Sequence, residues 1–131
     1  MSIDAIGNFL TIIRNGTMAS KPFVLVPHSA MAFSIGRILL EEGFIRDCSV
    51  IETEPNKKSI KILLKYVEGE SVIHEIQRSS TPGRRYYVGA ATIQPVIGGL
   101  GVSILTTSHG VITNKRAEEL GVGGEVLCTV W

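Results

Sequence analysis

The first half of the chain carries two stretches in which apolar residues recur every three or four positions, the period of an amphipathic helix. The first stretch comprises Ile6, Phe9, Leu10 and Ile13, and the second comprises Met31, Ile35, Ile38 and Leu39. Ser2 or Asp4 can cap the first helix and Gly16 can end it, whereas Ser29 and Gly43 are the corresponding signals for the second. The pattern therefore predicts two capped helices.

Runs of β-prone residues predict three strands around these helices. A short run at residues 23–26 is closed by Pro27, and longer runs cover residues 44–54 and 59–67. The turn-prone residues 55–57 join the two longer runs, which suits a hairpin. The first half is thus predicted to be helix, strand, helix, strand, strand.

The second half has more strand signals and one short helix. We predict strands at residues 72–79, 85–88, 102–106 and 125–131, with a turn at residues 81–83 and a glycine-rich segment at residues 98–101. Thr113 can cap a helix over residues 114–120, and glycines follow it.

The polar stretch at residues 68–71 is the best candidate for a domain boundary. We therefore expect an α/β (α+β) protein of two small domains. Residues 1–69 form the N-terminal domain, and residues 70–131 form a strand-rich C-terminal domain with a short helix.

The net charge of the chain does not point to a particular partner. Thirteen Lys and Arg residues against twelve Asp and Glu residues give a formal net charge of +1, so bulk electrostatics does not indicate a polyanionic partner. A nucleic acid would have to bind through a local surface. No apolar run reaches the roughly 20 residues of a membrane span, and we expect no membrane partner.

The cysteines and histidines give little support to an enzyme or a metal site. Cys48 and Cys128 lie in strand-like segments, where reduced cysteine behaves as a small buried hydrophobe. A disulfide between them stays open but is disfavoured in a chain long enough to build a core. The residues show no close pairs of zinc-ligand spacing, and we expect no metal and no cofactor. A thiol enzyme that pairs Cys128 with His109 is an open alternative. The apolar residues around Cys128 argue against it, because a thiol in such surroundings is unreactive.

The most distinctive local feature is a hydroxyl-rich turn after a β-run. It consists of Thr106, Thr107, Ser108, His109 and Gly110. Hydroxyl and amide groups fixed in a turn can donate and accept hydrogen bonds to phosphate, ribose and base edges. On the chemistry of these residues alone, however, the turn is better explained as one whose hydroxyl groups form hydrogen bonds with its own backbone.

Two further segments allow both a structural and a binding interpretation. The glycines within residues 121–124 would let the protein backbone come close to a ligand, but a helix C-cap followed by a strand start explains them better. The segment Arg84, Arg85, Tyr86 and Tyr87 offers cations and stacking faces. Alternation along a half-exposed strand explains it equally well.

Longer motifs resemble a known family. Residues 99–113 (GLGVSILTTSHGVIT) and 123–128 (GGEVLC) closely resemble the C-terminal signature of the S8 family of small-subunit ribosomal proteins. The resemblance continues through residues 80–87, 40–45 and 13–16, so that it covers practically the whole chain.

The resemblance implies a non-catalytic protein that binds the central domain of small-subunit ribosomal RNA, supports subunit assembly and contacts neighbouring ribosomal proteins. The RNA contacts it implies in the C-terminal domain are Thr106, Thr107, Ser108, His109, Gly110, Gly123, Gly124 and Glu125, with Tyr87, Arg84 and Arg85 as a second group. Those it implies in the N-terminal domain are Asp4, Arg14, Asn15 and Ser29. Bacterial relatives can also repress translation of their own messenger RNA. We expect a ribosomal location in the cytoplasm, or in the matrix or stroma of an organelle.

The chain departs from the family where basic residues are common. The positions concerned are His109, Thr81, Ala30, Ala32, Ala91 and Ile97. Each lost phosphate contact weakens salt-dependent attraction, so shape and hydrogen bonding should carry a larger share of recognition. An alternative from another class is a protein-interaction module whose exposed strand edge pairs with a partner strand.

Overall fold

The structure is a computed structural model that describes residues 4–131 and divides into two units. The first unit ends at His74 and the second comprises Glu75–Trp131. Tyr66–Val67 and Glu70–Ser71 pair as a small antiparallel hairpin, so the polar stretch around residue 70 belongs to the first unit. The division therefore lies five residues beyond the boundary expected from sequence.

The first unit contains two helices and a three-stranded antiparallel sheet. Its elements are α1 (Ala5–Met18), β1 (Phe23–Pro27), α2 (Ala30–Glu41), β2 (Ile45–Glu54), β3 (Lys57–Leu64), β4 (Tyr66–Val67) and β5 (Glu70–Ser71). The sheet order is β1-β3-β2, and α1 packs against β1 while α2 packs against β2. Their apolar faces form a core that includes Phe9, Leu10, Ile13, Ile35, Leu39, Ile60 and Ile62. The predicted order of helices and strands is confirmed.

Both helices begin at residues whose side chains satisfy free backbone amides. Asp4 Oδ1 accepts a hydrogen bond from the Gly7 N–H at 3.0 Å, and Ser29 Oγ accepts one from the Ala32 N–H at 3.0 Å. Such caps are worth about 1 kcal/mol each. The predicted caps Asp4 and Ser29 are confirmed, while Ser2 lies outside the described residues.

Gly16 does not end α1, contrary to the sequence prediction. The helix continues to Met18, and Gly16 is buried within it. A Cβ atom at this position would overlap Val24 Cγ1 and lie 3.1 Å from Leu64 Cδ1. Glycine is therefore needed for the close approach of α1 to the sheet, a requirement that local sequence does not reveal.

The second unit is an antiparallel sheet covered by one helix. Its elements are β6 (Ile76–Arg78), β7 (Tyr87–Val88), two 3-10 turns (Ala90–Thr92 and Ile97–Gly99), β8 (Val102–Thr107), β9 (Gly110–Thr113), α3 (Asn114–Leu120) and β10 (Gly124–Val130). The strand order is β6-β10-β8-β9, and β7 also pairs with β10. Leu105, Ala117 and Val126 form the core between α3 and the sheet.

The α3 prediction is confirmed at both ends. Thr113 Oγ1 accepts a hydrogen bond from the Arg116 N–H at 3.2 Å, and Gly121 closes the helix in the left-handed conformation with φ 69°. Start and stop signals of this kind act within one helical turn, so sequence alone reveals them.

Two strand predictions for the second half of the chain need correction, and one strand was missed. Only Ile76–Arg78 of residues 72–79 and only Tyr87–Val88 of residues 85–88 are strands, because the flanking backbone is hydrogen-bonded elsewhere. The Val72 N–H donates to the Lys65 carbonyl at 3.0 Å, and the Tyr86 N–H donates to Ser80 Oγ at 3.1 Å. Strand β9 was not predicted at all.

Candidate nucleic-acid interface

The hydroxyl-rich segment forms the tip of the β8–β9 hairpin. Thr107 pairs with Gly110, which leaves Ser108 and His109 as the two loop residues. Thr107 Oγ1 donates to the Gly110 carbonyl at 3.0 Å and accepts from the His109 N–H at 3.0 Å. The Thr107 hydroxyl therefore stabilises the turn, as the structural interpretation of this segment expects.

Ser108 is the exposed hydroxyl of this turn. Ser108, His109 and Gly110 are all exposed, and the Ser108 hydroxyl has no hydrogen-bond partner within residues 4–131. Because the backbone around it is held by Thr107, the hydroxyl is presented on a fixed turn. It can donate one hydrogen bond to a ligand and accept two from it.

Strand pairing places three sequence-predicted residues side by side. Glu125 lies opposite Thr106 of β8 and also opposite Tyr87 of β7. Directly opposed residues in antiparallel strands project to the same face of a sheet. A row of Tyr87, Glu125 and Thr106 thus lies beside the hairpin tip, and the Tyr87 side chain is 65% exposed. We call residues 106–110 and 123–125 together with Arg85 and Tyr87 the turn surface.

Glu125 is held by its neighbours. Its Oε2 atom accepts hydrogen bonds from Ser80 Oγ at 2.5 Å and from Arg85 Nη1 at 3.0 Å. The Glu125 side chain is only 13% exposed. The Ser80 hydrogen bond is the largest influence on the pKa of Glu125 and lowers it; desolvation opposes this shift and Arg85 reinforces it. The carboxylate is therefore ionised and engaged within the protein at neutral pH.

Ser80 is a residue that sequence reasoning missed. It is 2% exposed and donates to Glu125 while accepting from the Tyr86 N–H at 3.1 Å. It thereby joins the segment before β7 to the start of β10. Its only sequence signal is a hydroxyl just before the turn at residues 81–83, which does not indicate a partner 45 positions away.

Gly123 and Gly124 are required by the packing of adjacent strands. A Cβ atom at Gly124 would overlap the Thr106 carbonyl oxygen and lie 2.9 Å from Thr107 Cγ2. One at Gly123 would overlap the Val88 carbonyl oxygen. Close contact between neighbouring backbones therefore accounts for glycine at both positions without a ligand. The backbone of these two residues nevertheless borders the hairpin tip.

Few cations belong to the second unit. Residues 75–131 contain five Lys or Arg and four Asp or Glu residues, a net charge of +1. Arg85 pairs with Glu125, and Arg116 pairs with Glu119 at 3.0 Å. The guanidinium of Arg84, an exposed residue, has no ion-pair partner within residues 4–131. The two oppositely charged side chains of the turn surface, Arg85 and Glu125, therefore pair with each other.

The N-terminal candidates lie in the first unit, on its two helices. Asp4 and Ser29 use side-chain oxygens as helix caps. Asn15 is exposed on α1, whereas Arg14 is half-buried. The strand register that assembles the turn surface does not include any of the four.

The thiol-enzyme alternative is contradicted by the position of Cys128. The residue is fully buried in β10 and lies opposite Ile104 and Arg78, whereas His109 is exposed at the hairpin tip. Burial raises the pKa of the Cys128 thiol to about 12, so it is protonated at neutral pH and a poor nucleophile.

Within residues 4–131, His, Cys, Asp and Glu side chains do not gather into a group of three that could hold a metal ion. No helix in the same part of the chain is long and apolar enough to cross a membrane.

Comparisons with known proteins agree with the resemblance seen in the sequence. A family profile described as "Ribosomal protein S8" matches residues 4–131. The chain is 48% identical over 129 residues to the small ribosomal subunit protein uS8 of Halothermothrix orenii, covering 98% of this chain and 97% of the relative. The uS8 protein of Thermodesulfovibrio yellowstonii is 48% identical over 132 residues, with all of both chains covered. That of Xanthomonas oryzae pv. oryzae is 44% identical over 127 residues, covering 97% and 96%.

Proposed function

The chain belongs to the ribosomal protein S8 family, and from this membership we propose that it is a structural constituent of the small ribosomal subunit rather than an enzyme. We propose further that it binds the central domain of the small-subunit ribosomal RNA and supports assembly of the subunit beside neighbouring ribosomal proteins. The relatives are named for the small ribosomal subunit. The assignment to the central domain of this RNA follows from the family resemblance.

The exposed Ser108 hydroxyl on a rigid hairpin tip is the observation that carries this proposal. RNA presents phosphate oxygens, 2′-hydroxyls and unpaired base edges, each of which can bond to a hydroxyl. Tyr87, at the other side of the same surface, offers an exposed aromatic face for stacking. Thr106 and the backbone of Gly123 and Gly124 complete a surface suited to one local RNA shape.

Glu125 enters this proposal in a different role from the other residues. Its carboxylate accepts hydrogen bonds from Ser80 and Arg85, and a free carboxylate would repel phosphates. We therefore assign Glu125 to holding the turn surface together. Arg85, paired with it, adds little long-range attraction.

Replacing Ser108 with alanine tests the RNA proposal. We expect Ser108→Ala to weaken binding of a central-domain RNA fragment by about five- to tenfold, because one hydrogen bond contributes roughly 1 kcal/mol. Titration of labelled RNA at several salt concentrations gives the affinity. The matched control is Thr53→Ala, which removes an exposed hydroxyl from β2 in the first unit.

Two results would count against the proposal. The first is a chain without salt-sensitive affinity for the fragment, which would favour strand-edge pairing with a protein partner. The second is a Ser108→Ala variant that binds as tightly as the control. A fragment of the chain's own messenger RNA, titrated in parallel, tests the repression role: the same loss with Ser108→Ala would indicate a shared surface.

A further inference from the structure

Strand β1 forms one edge of the sheet in the first unit, since within residues 4–131 it pairs with β3 alone. The Leu64 N–H of β3 donates to the Pro22 carbonyl at 3.0 Å, which fixes the hydrogen-bonding phase of the pair. Along an antiparallel strand, residues that bond to the neighbouring strand alternate with residues that do not. The backbone N–H and C=O groups of Phe23 and Leu25 therefore point away from β3, to the free edge.

The opposite edge of the same sheet, β2, is protected against an added strand. Its register with β3 shifts between Ile45 and Asp47 and again between Glu52 and Glu54. Strand β1, in contrast, pairs with β3 without a shift over all of its five residues and contains no charged residue. Bulges and charged side chains are the usual protection of a sheet edge. Strand β1 is therefore the edge that can accept another strand.

A groove of about 580 Å³ lies beside this edge. It is lined by residues 21–25 and by α1 residues that include Ile12, whereas β3, which the structure describes in full, does not line it. Phe23 and Leu25 are 40% and 42% exposed. A strand added in the groove would place one face beside these two side chains and the other beside Ile12 and Val24. The incoming segment would thus need to be apolar on both faces.

The charges near the groove favour an acidic partner. Between Asp4 and Glu41 the chain contains Arg14, Lys21 and Arg37 but neither Asp nor Glu. Lys21 lines the groove, and its ammonium group has no ion-pair partner within residues 4–131. A carboxylate that flanks the incoming segment could pair with it, whereas a second copy of this chain would bring another lysine.

We propose that β1 accepts a short extended segment of a neighbouring small-subunit protein as a fourth strand, and that this segment is apolar in its middle and acidic at its ends. The backbone groups of Phe23 and Leu25 would bond to it, and Pro27, which has no N–H, would end the ladder. RNA fits less well, because Lys21 is the one cation among the described residues that line the groove. The inference rests on the proposed place of the chain beside other ribosomal proteins and names the surface that one of them would use.

A synthetic peptide tests the edge. The probe is Glu-Glu-Val-Thr-Val-Ile-Val-Glu-Glu with blocked ends, and its matched control has lysine in place of every glutamate. We expect the acidic peptide to bind saturably and the basic peptide to bind at least about threefold more weakly, because the ion pair with Lys21 is lost. Fluorescence anisotropy of the labelled peptides measures both affinities. Absence of binding by the acidic peptide, or equal binding of the two peptides, would overturn the inference.

Two proline variants show whether the peptide uses β1. Leu25→Pro removes an N–H that points away from β3, a change that an edge strand tolerates. Affinity for the acidic peptide should fall at least about tenfold, since a hydrogen bond is lost and the ring obstructs the added strand. Val50→Pro is the matched control and should change affinity less than about twofold. Val50 is also 42% exposed and lies opposite Ile60, which bonds to β1, so its N–H points to the outer edge of β2.

A second measurement covers the case in which Leu25→Pro does not fold. The acidic peptide is then N-methylated throughout its apolar part, which removes the N–H groups that pair with a strand. It should bind the unmodified protein at least about tenfold more weakly than the parent peptide. Unchanged binding of the methylated peptide would show that the contact is not strand pairing.

Hydrogen exchange at the amides of Phe23 and Leu25 identifies the occupant of the edge. Both amides should exchange fast in the free protein and with the central-domain RNA fragment, and slowly with the acidic peptide and in isolated small subunits. Protection by the RNA fragment would assign the groove to RNA, protection in a free protein that sediments as a dimer would assign it to a second copy, and fast exchange in the subunit would leave it unoccupied. Each of these results overturns the inference. Failure of the RNA fragment to bind would instead count against the proposed function, and the peptide results would not depend on it.

Discussion

At the scale of single residues, the turn surface depends on a carboxylate engaged inside the protein. Glu125 accepts bonds from Ser80 and Arg85 and so connects the start of β10 to the segment before β7. Arg116 and Glu119 form an ion pair at the same 3.0 Å separation, but on an exposed helix surface. Comparing variants of the two pairs therefore distinguishes how a partly buried, hydrogen-bonded carboxylate affects stability from how a surface charge does.

The Glu125→Gln variant should lose about 1 to 2 kcal/mol of unfolding free energy at pH 7, because a charge-assisted hydrogen bond is weakened. The pKa of Glu125 is lowered in the folded state, so its contribution is present above the unfolded pKa of about 4.3 and is lost as pH falls through the lower folded value. The difference between variant and parent should shrink on acidification.

Urea unfolding followed by Trp131, the single tryptophan and a residue of the second unit, measures this difference at pH 7 and below pH 4. Glu119→Gln is the control and should change stability by less than about 0.5 kcal/mol. An equal effect of the two variants, or a difference that does not depend on pH, would refute the role given to Glu125.

The cysteines supply a second residue-scale prediction. Cys48 and Cys128 are free and buried, and burial raises the pKa of both thiols. A thiol-reactive chromophore should modify neither in the folded protein and both after denaturation. Fast modification of Cys128 in the native state would revive the thiol-enzyme hypothesis.

At the scale of elements, the contact between β8 and β10 determines where the turn surface lies. Gly124 allows the two strands to approach because a Cβ atom there would overlap the Thr106 carbonyl oxygen. The same pairing brings Glu125 opposite Thr106. A change at Gly124 should therefore affect stability and RNA binding together.

Gly124→Ala should destabilise the protein by about 1 to 3 kcal/mol, the usual cost of overpacking, and should weaken RNA binding. The control is Gly83→Ala, because a Cβ atom at Gly83 has nothing within 4 Å, and its effect should lie within about 0.5 kcal/mol. Thermal unfolding of both variants measures the difference. If Gly124→Ala is as stable as the control, the strands do not require glycine at this position.

At the scale of the whole molecule, charge is nearly balanced in both halves. Residues 1–74 carry eight basic and eight acidic residues, and residues 75–131 carry five and four. The net charge of either half therefore provides little nonspecific attraction to RNA. His109 is an exposed residue at the hairpin tip, where a cation can be added.

Replacing His109 with lysine should add a phosphate contact at the hairpin tip. The backbone N–H of this residue holds the turn and its side chain is exposed, so His109→Lys should leave the fold intact. The slope of log Kd against log salt should steepen by about one unit, with tighter binding at low salt. Thr53→Lys adds the same charge on β2 of the first unit, and an equal change of slope there would show that net charge alone is responsible.

The sequence by itself determined the features that depend on neighbours within one or two turns of chain. These are the helix periods, the caps at Asp4, Ser29 and Thr113, and the hairpin of β2 and β3, since propensity and capping are local interactions. The family signature also indicated the loop at residues 106–110 as the candidate RNA-binding loop.

Only the tertiary structure decided which residues meet. The hydrogen bond from Arg85 to Glu125 spans 40 positions and that from Ser80 spans 45. Gly16 serves a helix–sheet contact rather than a helix end. Strand register and packing set these outcomes, and both depend on contacts between distant segments that no local pattern encodes.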